Sequence, residues 1–185
     1  MKPRDNLPLW LVRHARPLVA DGICYGASDM PADADATQHC AVQLAQVLPP
    51  HTRVLSSPLR RCTQLAQSLV QIRTDLCWAT DERLAEMDFG VWEGWRWADI
   101  PKAAIDQWIA EFGSWRFGGR ESVDALMARV VAAWHESRHS AVPTAWLSHA
   151  GVARAAQLIA QGQLTVHTSS DWPKQGLAFG EFVRL

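Results

Sequence analysis

An apolar run, Leu7-Pro8-Leu9-Trp10-Leu11-Val12, ends abruptly in Arg13-His14. Six residues of this kind predict a fully buried strand, and buried strands belong to sheets covered on both faces. A guanidinium and an imidazole then stand where the strand emerges. In an open α/β sheet, ligands bind outside the carboxyl ends of the strands. An arginine can clamp phosphate oxygens there, and an imidazole can attack phosphorus. The plainer reading of the pair is a solvated strand end.

The rest of the chain has the rhythm of an α/β protein. Helical periodicity runs from Asp35 to Leu48, where Pro49-Pro50 ends it. Arg53 to Ser57 predicts a second strand. Pro58 predicts the first residue of the next helix, which carries Leu59, Cys62, Leu65, Ala66 and Leu69 on one side. Leu76 to Ala79 predicts a third strand. Residues 81–94 have no clean period and predict a loop with short helical turns. Ala103 to Phe112 and Glu121 to Arg138 predict helices, separated by Gly118-Gly119. Thr144 to Leu147 predicts a buried strand running into Ser148-His149, then a helix to Ile159. Ala178 to Leu185 predicts a last strand at a sheet edge. The expectation is a three-layer α/β/α sandwich with a mostly parallel central sheet. It forms one domain over residues 1–185, with a cap-like middle section at about 88–122.

Composition narrows the partners. The 185 residues carry a formal net charge of −1, with 48% hydrophobic and 20% charged residues. No global field favours nucleic acid or an anionic membrane, so an anion site must come from clustered arginines. No apolar run approaches the roughly 20 residues of a membrane span. The stretch after the polar start is too short for a signal peptide, so a cytoplasmic protein is expected. Four cysteines, Cys24, Cys40, Cys62 and Cys77, form no Cys-x-x-Cys pair. Cys40 and Cys62 fall on apolar helix patterns and read as small core residues. No metal-ligand spacing such as His-Glu-x-x-His occurs, so neither metal nor cofactor is expected.

Three strand ends carry polar groups: Arg13-His14, Ser56-Ser57 with Arg60-Arg61 just beyond, and Ser148-His149. In a parallel sheet these lie on one edge. Two histidines with two or three arginines make a compact cationic pocket, suited to a phosphoryl group and its transition state. One imidazole could attack in line, and water could release the phosphoryl group in a second step. The leaving alkoxide needs a proton, which a carboxylic acid in apolar surroundings can supply. Glu86, in Leu84-Ala85-Glu86-Met87-Asp88-Phe89-Gly90, is the candidate, with Asp88 and Glu93 as rivals.

These blocks resemble the histidine phosphatase superfamily, also called phosphoglycerate mutase-like. Leu11-Val12-Arg13-His14-Ala15 resembles its signature. Ser56 to Gln64 resembles its second block, Leu84 to Gly94 the block holding the proton donor, and Ser148-His149-Ala150-Gly151 its second histidine motif. The resemblance covers nearly the whole chain and implies the phosphoglycerate mutase-like fold. It implies that His14 is transiently phosphorylated, that Arg13, Arg61 and His149 hold the phosphoryl group, and that Glu86 is acid and then base. In the second block it selects Arg61 over Arg60, which reads as a solvated or rim charge. Ser57, Arg16 and Tyr25 are taken as further substrate-binding positions, with Arg16 open between substrate contact and surface charge. Ala15 and Ala150 replace usual glycines, and Arg16 stands where many members have an acid or amide.

Asp21 to Pro31 resembles a loop of bacterial α-ribazole phosphatases, as does Phe117-Gly118-Gly119-Arg120-Glu121-Ser122. That makes α-ribazole 5′-phosphate, of cobalamin synthesis, the leading substrate. A sugar phosphate or other small metabolite phosphate is the alternative, and a protein phosphohistidine a further one that a helical cap would obstruct. Only about 50 residues separate Gly94 from the strand at Thr144, short for a mutase, which favours hydrolysis. A reading of another class is a catalytically decayed phosphate-binding module, although His14 and Glu86 are both retained. The partner is a small phosphorylated metabolite, and the protein a monomer or homodimer. His39, His51, His135, His139 and His167 are expected at the surface. Trp92, Trp95, Trp97 and Trp115 lie near the acid loop or the cap, where one or two could wall the pocket.

Overall fold

A computed structural model describes residues 7–185. Its sheet has five strands: β1 (Leu9–Arg13), β2 (Arg53–Ser56), β3 (Cys77–Thr80), β4 (Thr144–Ser148) and β5 (Phe182–Arg184). They lie in the order β3-β2-β4-β1-β5. All neighbours are parallel except β5, which runs antiparallel to β1 at one edge. The expected last strand therefore exists but is confined to three residues, because Gly180 donates back to the carbonyls of Arg13 and His14 and turns the chain there.

There are five helices in the described residues, α1 (Ala34–Val47), α2 (Arg60–Ile72), α3 (Lys102–Ala110), α4 (Val123–Arg138) and α5 (Ala150–Ala160), of which α1, α2, α4 and α5 cover the sheet. Successive strand residues point to opposite faces, and both faces are apolar. Val12, Val54, Ala145 and Leu147 pack with Cys40, Leu44, Leu65 and Leu69 of α1 and α2. Leu9, Leu11, Leu55 and Trp146 pack with Leu126, Val130, Val152 and Ala155 of α4 and α5. These are the two cores of a three-layer sandwich.

Local chemistry sets the helix starts. The Asp33 carboxylate accepts from Ala36 N–H at the start of α1, and the Ser122 hydroxyl accepts from Ala125 N–H at the start of α4. The start of α2 differs from the sequence expectation. Pro58 lies outside the helix and Leu59 is still extended, because the Ser57 hydroxyl takes the Leu59 N–H and closes a local turn. The middle section, 88–122, contains α3 and several single 3-10 turns rather than long helices. No described helix is long and apolar enough to cross a membrane.

Candidate active site

The parallel register brings three strand ends to one edge. Arg13 of β1 pairs with Ser148 of β4, and Ser56 of β2 pairs with Leu147. The ladders continue one residue further: His14 N–H donates to Ser148 O and Ser57 N–H to Leu147 O. His14 and Ser57 are thus held by sheet hydrogen bonds rather than by free loops, His149 follows directly on β4 as the residue that begins α5, and segments more than 130 residues apart in sequence meet.

His14 is 2% exposed. Its Nδ1–H donates to the Ala15 carbonyl at 2.6 Å, which leaves the lone pair on Nε2. Burial, then the charges of Arg61 and Arg13, push its pKa down to about 3, against the opposing bond to Ala15. The imidazole is neutral at physiological pH. The ring centre of His149 lies 5.0 Å away, at 63°.

Arg61 is fully buried. A buried guanidinium is costly unless its donors are met, and three acceptors meet them: His149 Nδ1 at 3.2 Å, Ser28 O at 2.7 Å and Gly26 O at 2.6 Å. His149 in turn directs Nε2 at the Ser57 hydroxyl, 2.7 Å away. With Nδ1 accepting from arginine, Nε2–H donates to serine. Burial, then the competing His14 imidazole and the charge of Arg61, hold the His149 pKa well below the ordinary histidine value. Cys62 packs against this ring, and burial pushes its thiol up to about 12, so it stays protonated.

Arg13 donates to Leu177 O at 2.8 Å, and its guanidinium carbon sits 3.8 Å above the Phe179 ring centre. Phe179 also packs against His14, with ring centres 5.6 Å apart. Tyr25 lies beside both arginines; burial raises its phenol pKa and the two cations oppose that.

Glu86 sits beside the N-terminus of α5. Its carboxylate accepts from Gly151 N–H at 3.0 Å and from Met87 N–H at 3.1 Å. A Cβ at residue 151 would stand 2.3 Å from Glu86 Oε1, so glycine is what lets the acid approach the helix. Arg129 braces the loop by donating to the carbonyls of Arg83 and Ala85, and is itself paired with Glu121. The rival acids are occupied elsewhere. Asp88 takes Gly90 N–H and pairs with Arg120. Glu93 accepts from the backbone of Gly26, Ala27, Ser28 and Phe89 and from the Ser28 hydroxyl. It thereby clamps the turn whose carbonyls hold Arg61.

His14, Arg13, Arg61, His149 and Glu86 are accordingly drawn to one place. Ser57 is buried behind His149 and contacts that ring. Arg16 is exposed at the rim, 2.6 Å from Asp21, on a groove shared with Tyr25 and Phe179. Arg60 is exposed, and so are His39, His51, His135, His139 and His167. Ala15 is buried with its carbonyl on His14, and Ala150 lines a cavity beside Glu86. Neither methyl group obstructs the cluster. No three His, Cys, Asp or Glu side chains among the described residues are grouped to hold a metal ion.

The cavity beside Glu86 has a volume of about 250 Å³. Its walls are mostly apolar and include the aromatic side chains of Phe89, Trp97, Trp108, Phe112 and Trp172. Of the tryptophans expected near the pocket, only Trp97 lines this cavity. Trp92 packs edge-on against Trp95 and beside Phe117, and Trp115 is exposed. The sequence reading missed Trp108, Trp172 and Arg154, which also line it, as well as Phe179 at the phosphate side. Arg154 had a signal: it is the one charged residue in the apolar helix Ala150–Ala160.

A doubly covered parallel sheet with two histidines and two arginines at its carboxyl edge, and an acid beside them, defines a class of phosphoryl-transferring α/β enzymes. The chain belongs to the histidine phosphatase superfamily, branch 1, whose profile matches residues 9–172. Its activity class is that of a phosphomonoesterase. Solved structures with the same fold include "Mycobacterial hydrolase 1" (TM-score 0.81, 20% identity, 96% of this chain and 90% of that one). Mycobacterial glucosyl-3-phosphoglycerate phosphatase with inorganic phosphate is similar too (0.77, 23% identity, 96% and 88%). TTHB049 from Thermus thermophilus is a third (0.71, 26% identity, 97% and 93%). A search of curated proteins found no match to the sequence.

Proposed function

We propose that the protein hydrolyses a small phosphomonoester through a phosphohistidine at His14, with α-ribazole 5′-phosphate as the leading substrate. The observation that carries the mechanism is the neutral His14 imidazole, its Nδ1 proton committed to Ala15 and its Nε2 lone pair free, beside the Arg61–His149 pair. In the first step Nε2 bonds to phosphorus as the ester P–O bond breaks, and Glu86 gives its proton to the leaving oxygen. Arg13 and Arg61 stabilise the equatorial oxygens. His149 stations Arg61 and shares the phosphoryl charge. In the second step the Glu86 carboxylate takes a proton from water, whose oxygen displaces His14 from phosphorus and releases inorganic phosphate. Tyr25 lies at the mouth, and Arg16 meets substrate only at the rim.

The substrate reading is supported by the chamber on the acid's side of the site. A leaving group seated among five aromatic side chains is better matched by a benzimidazole ring than by a polar sugar or glycerate. Glucosyl-3-phosphoglycerate and similar sugar phosphates form the second reading, favoured only by the shared fold of that solved phosphatase.

The test is acid-quenched mass spectrometry of wild type, His14→Ala and Glu86→Ala with α-ribazole phosphate, phosphoglycerates and sugar phosphates. The expected result is a phosphoryl adduct on His14, absent in His14→Ala, with turnover highest on α-ribazole phosphate. An adduct with another preferred substrate would remove the cobalamin assignment and keep the mechanism. A folded wild type with neither adduct nor turnover would leave a phosphate-binding module.

A further inference from the structure

Arg154 is the charge that the mechanism above does not use. It rises from α5 three residues after Gly151, which places it on the same helix face as the amide that holds Glu86. It lines the aromatic chamber, where Glu86 is the other charged wall residue. The other arginines of the site and its flank each have at least one acceptor: Arg13 at Leu177 (although its Nε is also buried without one), Arg61 at three, Arg129 at Glu121 and two carbonyls, Arg120 at Asp88. Arg154 has no acid partner among the described residues, and its Nε is buried with no acceptor at all. Arg154 as a whole is half-buried, but a donor atom withdrawn from solvent without an acceptor is unfavourable unless something else supplies one.

The chain also makes room for that side chain. A Cβ on Gly176 would lie 3.2 Å from both Cζ and Nε of Arg154. The guanidinium therefore lies against bare backbone, and a larger residue at 176 would push it away. The chamber, at about 250 Å³, sits just below the usual range for a whole small-molecule site, and so suits one part of a ligand. When a phosphate dianion lies between Arg13 and Arg61 and Glu86 is protonated, Arg154 is the remaining cation facing the alcohol.

We infer that Arg154 is a specificity-determining residue for the alcohol half of the substrate: it donates to a nitrogen or oxygen acceptor on a flat, largely apolar ring held between Trp97, Trp108 and Trp172. The inference rests on the phosphatase reading and sharpens it, since it selects ring-bearing alcohols with an acceptor over plain hydrocarbons. A planar guanidinium also stacks on a ring face, which an ammonium does less well.

The experiment compares 1-naphthyl phosphate with its isomeric quinolinyl phosphates, which have the same shape but carry one ring nitrogen. For the wild type, at least one quinolinyl isomer should exceed naphthyl phosphate in kcat/KM by about 10- to 100-fold, the range of a hydrogen bond to a charged group. Arg154→Met should bring that ratio close to one, and Arg154→Lys should restore part of it. An unchanged ratio in Arg154→Met, whatever its absolute rate, overturns the inference. So does a wild type that treats all the isomers like naphthyl phosphate. In parallel, tryptophan fluorescence measures binding of the free hydroxyquinolines and 1-naphthol to both proteins. A hydroxyquinoline preference that vanishes in Arg154→Met, in a wild type with no turnover, would keep the role of Arg154 and reject the phosphatase reading. Turnover without any such preference would do the reverse.

Discussion

Single atoms decide much of this site. The Glu86 carboxylate reaches α5 only because residue 151 has no side chain. In Gly151→Ala the new methyl group would displace the flexible end of Glu86 and leave the backbone in place. Turnover of an alkyl phosphate, which needs the proton, should then fall by about 100-fold or more. p-Nitrophenyl phosphate, whose phenolate leaves without protonation, should lose far less. Steady-state kinetics on the two substrates checks this; equal losses would mean that the substitution damages something other than the acid. The same scale separates three acids that look alike in sequence. Glu86, Asp88 and Glu93 lie within eight residues, and their neighbours in space, not their type, assign Glu93 to the Arg61 turn and Asp88 to Arg120.

At the scale of elements, the middle section is held by aromatic stacking more than by helix. Phe117 is fully buried, stacked on Trp108 with ring centres 4.4 Å apart and nearly parallel to Trp97 at 6.0 Å. Phe89 meets it edge-on. The turn after it needs glycine: Gly118 has φ +77°, and a Cβ there would lie 1.8 Å from the Phe89 carbonyl. Phe117→Ala should therefore cost about 3–5 kcal/mol, typical of a buried phenylalanine truncated to alanine. Because Trp97 and Trp108 also wall the chamber, the same variant should raise KM for ring-bearing substrates. Denaturant unfolding and kinetics measure the two effects, and a loss below about 1 kcal/mol would show that the stack is not the support inferred here. Strands and long helices in this chain were legible because their periods survive tertiary packing. Asp81 to Gly94 is, as its lack of period predicts, loop with short turns at Glu82–Leu84 and Gly90–Trp92; what the sequence did not show is which side chains meet its backbone donors, such as Glu121 on Asp88 N–H and Glu93 on Phe89 N–H.

For the molecule as a whole, two neutral imidazoles buried beside arginines link stability to pH. The folded-state pKa of His14, about 3, and that of His149 both lie below the unfolded value of 6.5. Between those limits the unfolded chain binds more protons, so stability is complete above about pH 6.5 and is lost as pH falls towards 3. His14 contributes roughly 1 kcal/mol per pH unit within that window, and His149 acts in the same direction. Chemical denaturation of the substrate-free protein at pH 7 and pH 5 should show the decline, and His14→Phe should flatten it. An equally steep decline in His14→Phe would place the linkage in other groups.

Sequence alone determined what depends on local order. Alternating apolar runs and helical stripes specified the sheet and its covering layers, and the four motif blocks, through their family resemblance, pointed to His14, Arg13, Arg61, Glu86 and His149. Tertiary structure decided what depends on partners far apart in the chain. It put Ser57 behind His149, gave Glu93 to the turn at Gly26–Ser28, laid Phe179 over Arg13, and gathered Trp97, Trp108, Trp172 and Arg154 into one chamber. Periodicity reports which face of an element is apolar. It does not report which distant side chain will meet that face, and the make-up of this site rests on those meetings.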